Sequence, residues 1–201
     1  MSAIENINPR IQVETVKSSE VTYSRIKDTS TSSIVVIPYT VSKIGENSYA
    51  IESVFVRDHY NQFDKVREVS AFVINSDGCE SESDACKKFV SRSLAIPESK
   101  IDINRILYTG ELNCNISSFN ATFTSFCIDV TNLKSQYNSK YELNSLDNIT
   151  INSTPEDLPN DMIMKVPYQT ITSGKYADIL LNASILNLAA NLTKVASVEK
   201  K

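Results

Sequence analysis

Short runs of β-branched and aromatic residues, each closed by turn residues, recur along this chain, and only two stretches with helical spacing interrupt them. That alternation restricts the fold to a sheet with few helices packed on it. The run Ser33-Ile34-Val35-Val36-Ile37-Pro38-Tyr39 and the run Tyr49 to Arg57 flank the turn signal Lys43 to Asn47, which predicts a hairpin. The polar stretch Arg57-Asp58-His59-Tyr60-Asn61 reads as a loop with an exposed histidine, and Val66 to Asn75 as a third strand closed by Ser76-Asp77-Gly78. Arg105 to Thr109, Ala121 to Val130 and Asp161 to Pro167 carry the same strand signature.

The first helical stretch opens at Ser81-Glu82-Ser83-Asp84, where a hydroxyl precedes an acid by three residues in the manner of a capping box. Ala85, Phe89, Val90 and Leu94 follow at helical spacing, and Pro97 marks the end. The second spans Ala177 to Leu192, with Leu180, Ala183, Leu186, Leu188 and Ala190 on a mostly helical pattern. Thr131 to Leu146 is a long polar insertion, a length at which loops usually carry function or motion. No internal repeat or Gly/Pro-rich linker divides the chain. The sequence therefore predicts an α+β fold: residues 1–30 as an N-terminal arm or edge strands, 31–195 as one domain with a mixed sheet between helices, and 196–201 as a charged tail.

Composition narrows the function classes. A hydrophobic content of 41% with 22% charged residues is that of a globular chain. A net charge of −4 supplies no overall basic field, so nucleic acid is not an expected partner. No apolar run is long enough to span a membrane, and Met1 to Arg10 lacks the apolar stretch of a signal peptide, so we expect an intracellularly made, soluble protein with no membrane partner. Cys79, Cys86, Cys114 and Cys127 contain no CxxC pair, which argues against a zinc site and for reduced packing thiols. His59 is the only histidine, which leaves little room for histidine-based base or triad chemistry. The triplets at Asn115, Asn120, Asn148, Asn152, Asn182 and Asn191 read as chance matches to the glycosylation pattern in an Asn/Ser-rich chain.

The order of elements from about Ile34 to Leu192 resembles the Nudix hydrolase superfamily, in particular its ADP-ribose pyrophosphatase branch. Val56-Arg57-Asp58-His59-Tyr60 resembles the strand end and Arg-rich turn of that branch, and Ser81 to Lys88 the start of its signature helix. Val166-Pro167-Tyr168, with Ser173-Gly174-Lys175-Tyr176-Ala177-Asp178, resembles the closing strand, short turn and last helix. The resemblance implies an α/β/α sandwich and, in the family, three glutamates on one helical face that hold divalent metals for pyrophosphate hydrolysis.

This sequence departs from that pattern. Counting strictly from Gly78 puts Asp84 at the first acid, Arg92 at the arginine, and Ser93, Ile96 and Pro97 at the three glutamates. A shifted register starting from Glu80, which we prefer, puts Lys88 at the arginine and Phe89, Arg92 and Ser93 at the glutamates. In either register, Ala85 to Pro97 contains no carboxylate and three cations, Lys87, Lys88 and Arg92. Cations repel a divalent ion, and Ser or Phe replaces no oxygen ligand of useful strength. Glu80, Glu82 and Asp84 at the helix entrance are explained more simply by the helix dipole than by a metal.

From this we expect a non-catalytic Nudix-like structural or adaptor subunit: no enzymatic activity, no catalytic or metal-binding residue, no cofactor, and no assignable ligand-binding residue. The expected partners are other protein subunits of an assembly and further copies of the chain, contacted through the N-terminal arm. The Asn/Ser-rich, Gly-poor composition would suit a bacteriophage virion protein, for example a neck or tail ring subunit of a crAss-like phage. Two alternatives stand beside this. One is a divergent metal-dependent pyrophosphohydrolase of nucleoside diphosphate-linked compounds that recruits Glu80, Glu82, Asp84 or another acid. The other is a nucleotide sensor in which Lys87, Lys88 and Arg92 meet phosphates.

Overall fold

The structure, a computed structural model, describes residues 11–17, 22–28, 33–45, 48–61, 66–116, 119–133, 161–173, 176 and 178–198. These residues form β1 (Ile11–Lys17), β2 (Thr22–Asp28), β3 (Ser33–Gly45), β4 (Ser48–Asn61), β5 (Val66–Ser70), β6 (Phe72–Asn75), α1 (Glu82–Leu94), β7 (Ile106–Ile116), β8 (Phe119–Asp129), β9 (Asp161–Pro167), α2 (Tyr168–Thr172) and α3 (Ile179–Val198). Two short 3₁₀ turns, Glu98–Lys100 and Ile103–Arg105, lead from α1 into β7.

The sheet is mixed. Its main path is β1-β2-β8-β3-β4-β5, with β6 on β3, β7 on β8 and β9 on β4. At its centre β3 and β8 run parallel from Ile34↔Thr124 to Tyr39↔Asp129, and β4 turns back on β3 as the hairpin that the Gly45 turn predicted. Parallel strands are ordinarily covered on both faces, and β3 shows it: Ile34, Val35, Val36 and Ile37 are all fully buried. Side chains alternate across the pleat, so Ile34 and Val36 join Phe55, Phe126 and Ile128 on one face, and Val35, Ile37, Val54, Val56 and Cys127 occupy the other.

Each face receives a helix. α1 buries Ala85, Cys86, Val90 and Leu94 against the first face, where the Phe89 and Phe72 rings lie 5.0 Å apart. α3 buries Leu181, Ile185 and Leu188 against the second. Fully burying one such aliphatic side chain is worth about 1.5–3 kcal/mol, so both helices are held by packing and not by intrinsic propensity. A buried hydroxyl chain also ties α3 to the sheet: Thr109 donates to Ser125 at 2.9 Å, and the Ser125 and Ser184 hydroxyls lie 3.0 Å apart.

The mixed α+β architecture matches the sequence expectation, and several details do not. Residues 57–61 are not a loop but the end of β4, with His59 paired to Glu68 of β5 and to Asp161 of β9. The expected single strand from Val66 to Asn75 is two: β5 pairs with β4, Ala71 interrupts, and β6 pairs with β3. The segment passes from one strand to the other, so its polar–apolar pattern looks continuous in sequence while its hydrogen-bond partner changes. β1 and β2 form an antiparallel hairpin joined to the sheet by Ile26↔Phe119 and Lys27↔Asn120. α2 was not expected, and α3 continues to Val198. Of the Thr131 to Leu146 insertion, residues 134–146 lie outside the described residues.

Candidate functional site

The helix that the resemblance singles out begins as its sequence predicts. Ser81 is the N-cap, its Oγ accepting the Asp84 N–H at 3.1 Å. Asp84 reaches both ways: it accepts the Glu80 N–H at 3.3 Å and the Lys88 ammonium at 2.7 Å. The hydrogen bond from Lys88 lowers the Asp84 carboxyl below its ordinary range, and Asp84 in turn raises Lys88. Helix-terminal charge balance and an i,i+4 ion pair therefore use up the acid closest to the helix body. α1 ends at Ala95 in the left-handed region, φ 50°, whose N–H returns to the Ser91 carbonyl.

The divalent metals of the Nudix reaction require a cluster of oxygen ligands. Ala85 to Pro97 supplies no carboxylate, and Asp84 is held by Lys88. Among the described residues, no group of three His, Cys, Asp or Glu is placed to hold a metal ion. The residues on α1 do not fit those metals in either register. What the helix presents instead is positive: Lys87 and Lys88 are half-buried and Arg92 is exposed, with Lys88 and Arg92 one turn apart on one face.

The lone histidine sits in a setting that sequence reasoning missed. His59 Nε2 lies 3.1 Å from Glu68 Oε2, and its Nδ1 is buried with no hydrogen-bond partner among the described residues. Asp58 beside it is fully buried. Asp178, just ahead of α3, is raised by burial against the opposing effect of N–H donors from Leu181, Ala71 and Leu180 and of nearby His59. Asp178 therefore pins the start of α3 to the junction of β5 and β6. An Asp immediately before an apolar helical run was the available signal for this cap. Burial pushes the Cys86 and Cys127 thiols up to about 12, which leaves these two inert, and Cys79, Cys86 and Cys127 are free.

Two clefts open on the α3 side. One, of about 360 Å³, is lined by Tyr39, Tyr49, Arg105, Asp129 and Leu192 among others. Arg105 is committed there to the carbonyls of Asp129 and Thr131 at 3.2 and 3.1 Å, which ties the end of β8 to the second 3₁₀ turn. Burial first, and then Asp129, pushes the Tyr39 phenol above its ordinary range. The other cleft, also about 360 Å³, lies between α3 and β7.

No protein-family description matches this sequence, and no curated protein does. Solved structures match by shape. A structure described as an ADP compounds hydrolase aligns over 92% of this chain and 94% of its own at 12% identity, TM-score 0.49. A mutT/nudix family protein from Listeria innocua aligns over 83% of this chain and 96% of its own at 9% identity, TM-score 0.50. The chain has a Nudix-like fold. The expectation of a protein without enzymatic activity is corrected on this finding. It rested on α1 alone, whereas the fold shared over most of the chain is one that a mutT/nudix family protein uses.

Proposed function

We propose that this protein is a divergent pyrophosphohydrolase of nucleoside diphosphate-linked compounds. The observation that supports the reading is the fold shared with a mutT/nudix family protein over 83% of the chain. Fold alone does not fix chemistry, so the reading is carried further by the charge of α1. Arg92, exposed one turn beyond the Lys88–Asp84 ion pair, provides a cation suited to a diphosphate, able to bind phosphate oxygens in two-pronged fashion. Hydrolysis breaks one phosphoanhydride bond and forms one P–O bond to a water oxygen, and fixed cations favour the charge that collects on the departing phosphate. Glu80 and Glu82, at the entrance of the same helix, are the acids open to act there, since Asp84 is engaged by Lys88.

The test is incubation with ADP-ribose and related nucleoside diphosphate-linked compounds in the presence of Mg²⁺ or Mn²⁺, reading release of nucleoside monophosphate. Turnover that falls at least tenfold in Arg92→Ala and in Glu82→Gln is the expected result. No turnover across the panel refutes it.

A second reading, nucleotide binding without turnover, is favoured by the absence of any carboxylate from Ala85 to Pro97. Calorimetric heat with ADP-ribose, lost in Arg92→Ala and unaccompanied by product, would select it. Assembly through the β1–β2 hairpin, including a place in a virion, is a proposal compatible with both readings. Its test is mass spectrometry of fractionated particles.

A further inference from the structure

The cleft beside Tyr39 lies on the face of the sheet opposite α1. Tyr39 belongs with Val35 and Ile37 to the core cluster under α3, and Asp129, its register partner on β8, follows Cys127 of the same cluster by two residues. Val41 and Leu192, both packed against that core, give the cleft apolar walls. Its polar wall is held in place by the protein itself. The Val130 N–H donates to the Tyr39 carbonyl at 2.9 Å, the Val41 N–H to Thr131 Oγ1 at 2.9 Å, and the Thr131 N–H to Asp129 Oδ1 at 2.8 Å. Arg105 adds its two bonds to the Asp129 and Thr131 carbonyls. Groups fixed in this way lose little freedom when a ligand arrives.

Three groups remain open to one. Tyr39 is only 5% exposed, and its hydroxyl has no hydrogen-bond partner among the described residues, so the cleft is where a partner can reach it. Asp129 is partly exposed and spends Oδ1 on Thr131, which leaves its second carboxylate oxygen and one further lone pair of Oδ1. Tyr49 is 62% exposed and packs on no other ring among the described residues.

We propose that this cleft binds a nucleoside through its base, and that the base is guanine. Charge selects a neutral ligand: among the described residues that line the cleft only Arg105 and Asp129 are charged, and they lie 3.9 Å apart and offset each other. An anion would meet Asp129 and find Arg105 engaged by carbonyls, whereas a cation would meet Arg105. The open Tyr49 ring selects a flat ligand, because every base has a face that stacks on an aromatic side chain. The hydrogen-bond pattern selects the base. An ionised carboxylate only accepts, so the ligand must donate. Guanine carries two adjacent donors, N1–H and the 2-amine, spaced for the two oxygens of one carboxylate, and its O6 beside them can accept from the Tyr39 hydroxyl. Adenine and cytosine set a ring-nitrogen acceptor beside their amine, which would face the carboxylate's lone pairs unpaired.

Calorimetry of the full chain with guanosine, in the absence of divalent metal, tests the proposal. Guanosine has no phosphoanhydride bond, so the outcome is independent of whether the protein hydrolyses one. Binding below millimolar guanosine is expected, weaker by about tenfold for inosine, which lacks the 2-amine, and by more for adenosine. Tyr49→Ala should cost about tenfold in guanosine affinity without altering circular dichroism, because Tyr49 is mostly exposed. Asp129→Asn keeps an acceptor for the Thr131 N–H and places an amide donor at the second oxygen. It should weaken guanosine and strengthen xanthosine, whose C2 bears a carbonyl in place of the amine, and a merely structural aspartate would not exchange one base for the other. No binding of guanosine up to millimolar concentration, equal affinity for adenosine, or an Asp129→Asn chain that gains nothing for xanthosine would overturn the proposal.

Discussion

Removing hydroxyls one at a time and then together from the buried chain Thr109–Ser125–Ser184 should give a strongly non-additive result. The Ser125 and Ser184 side chains are fully buried, 3.0 Å apart, and the single hydroxyl proton of Thr109 is shared between Ser125 Oγ at 2.9 Å and the Ser125 carbonyl at 3.1 Å. Ser125→Ala leaves the Ser184 hydroxyl facing an apolar methyl, and an orphaned buried hydroxyl costs about 1–3 kcal/mol. Ser184→Ala is milder, about 0.5–1.5 kcal/mol, because Ser125 keeps Thr109. In Ser125→Ala/Ser184→Ala neither orphan remains, and Thr109 retains the backbone carbonyl. The double variant should therefore be less destabilised than the sum of the singles by about 1 kcal/mol, well outside the roughly 0.3–0.5 kcal/mol scatter of independent sites. Urea unfolding of the four proteins, with unchanged slopes, measures this. Additivity within that scatter would show that the two hydroxyls do not depend on each other and would refute the network.

Three further outcomes are expected of single substitutions, titration and labelling. Ala95 holds φ 50° at the exposed end of α1, so Ala95→Gly should relieve the left-handed strain and raise stability by about 0.5–1 kcal/mol in thermal or urea unfolding. Asp84 is depressed in the folded state by Lys88, so its contribution is present above the unfolded carboxyl range and is lost as pH falls through the folded value. NMR titration should place Asp84 below an ordinary aspartate and return it upward in Lys88→Ala. With their thiols near 12, Cys86 and Cys127 should resist alkylation at pH 8 while folded and react once denaturant is added, followed by mass spectrometry of the labelled peptides.

The expected and observed folds agree where local chemistry decides the outcome. The N-cap at Ser81, the helical spacing of Ala85, Val90 and Leu94, and the turn at Gly45 each have one favourable local solution, and α1 and the β3–β4 hairpin form where they predict. The acid-free character of α1 is equally a property of the sequence. It was overextended when taken as the absence of enzymatic activity, because a helix reports its own side chains and not those that other elements bring near it.

What sequence by itself determined is the set of elements, their apolar faces and the charge carried by one helix, since these depend on neighbours within a few residues. Tertiary structure alone decided where His59 lies, which strand Val66 to Asn75 pairs with, and that Asp178 reaches the N–H of Ala71. Those are contacts between residues far apart in the chain, where hydrogen-bond partners are chosen by sheet register and burial. The outer face of α3 belongs to the same class. Its apolar residues are visible in the sequence, but only packing of the opposite face against the sheet shows which of them are left facing outward.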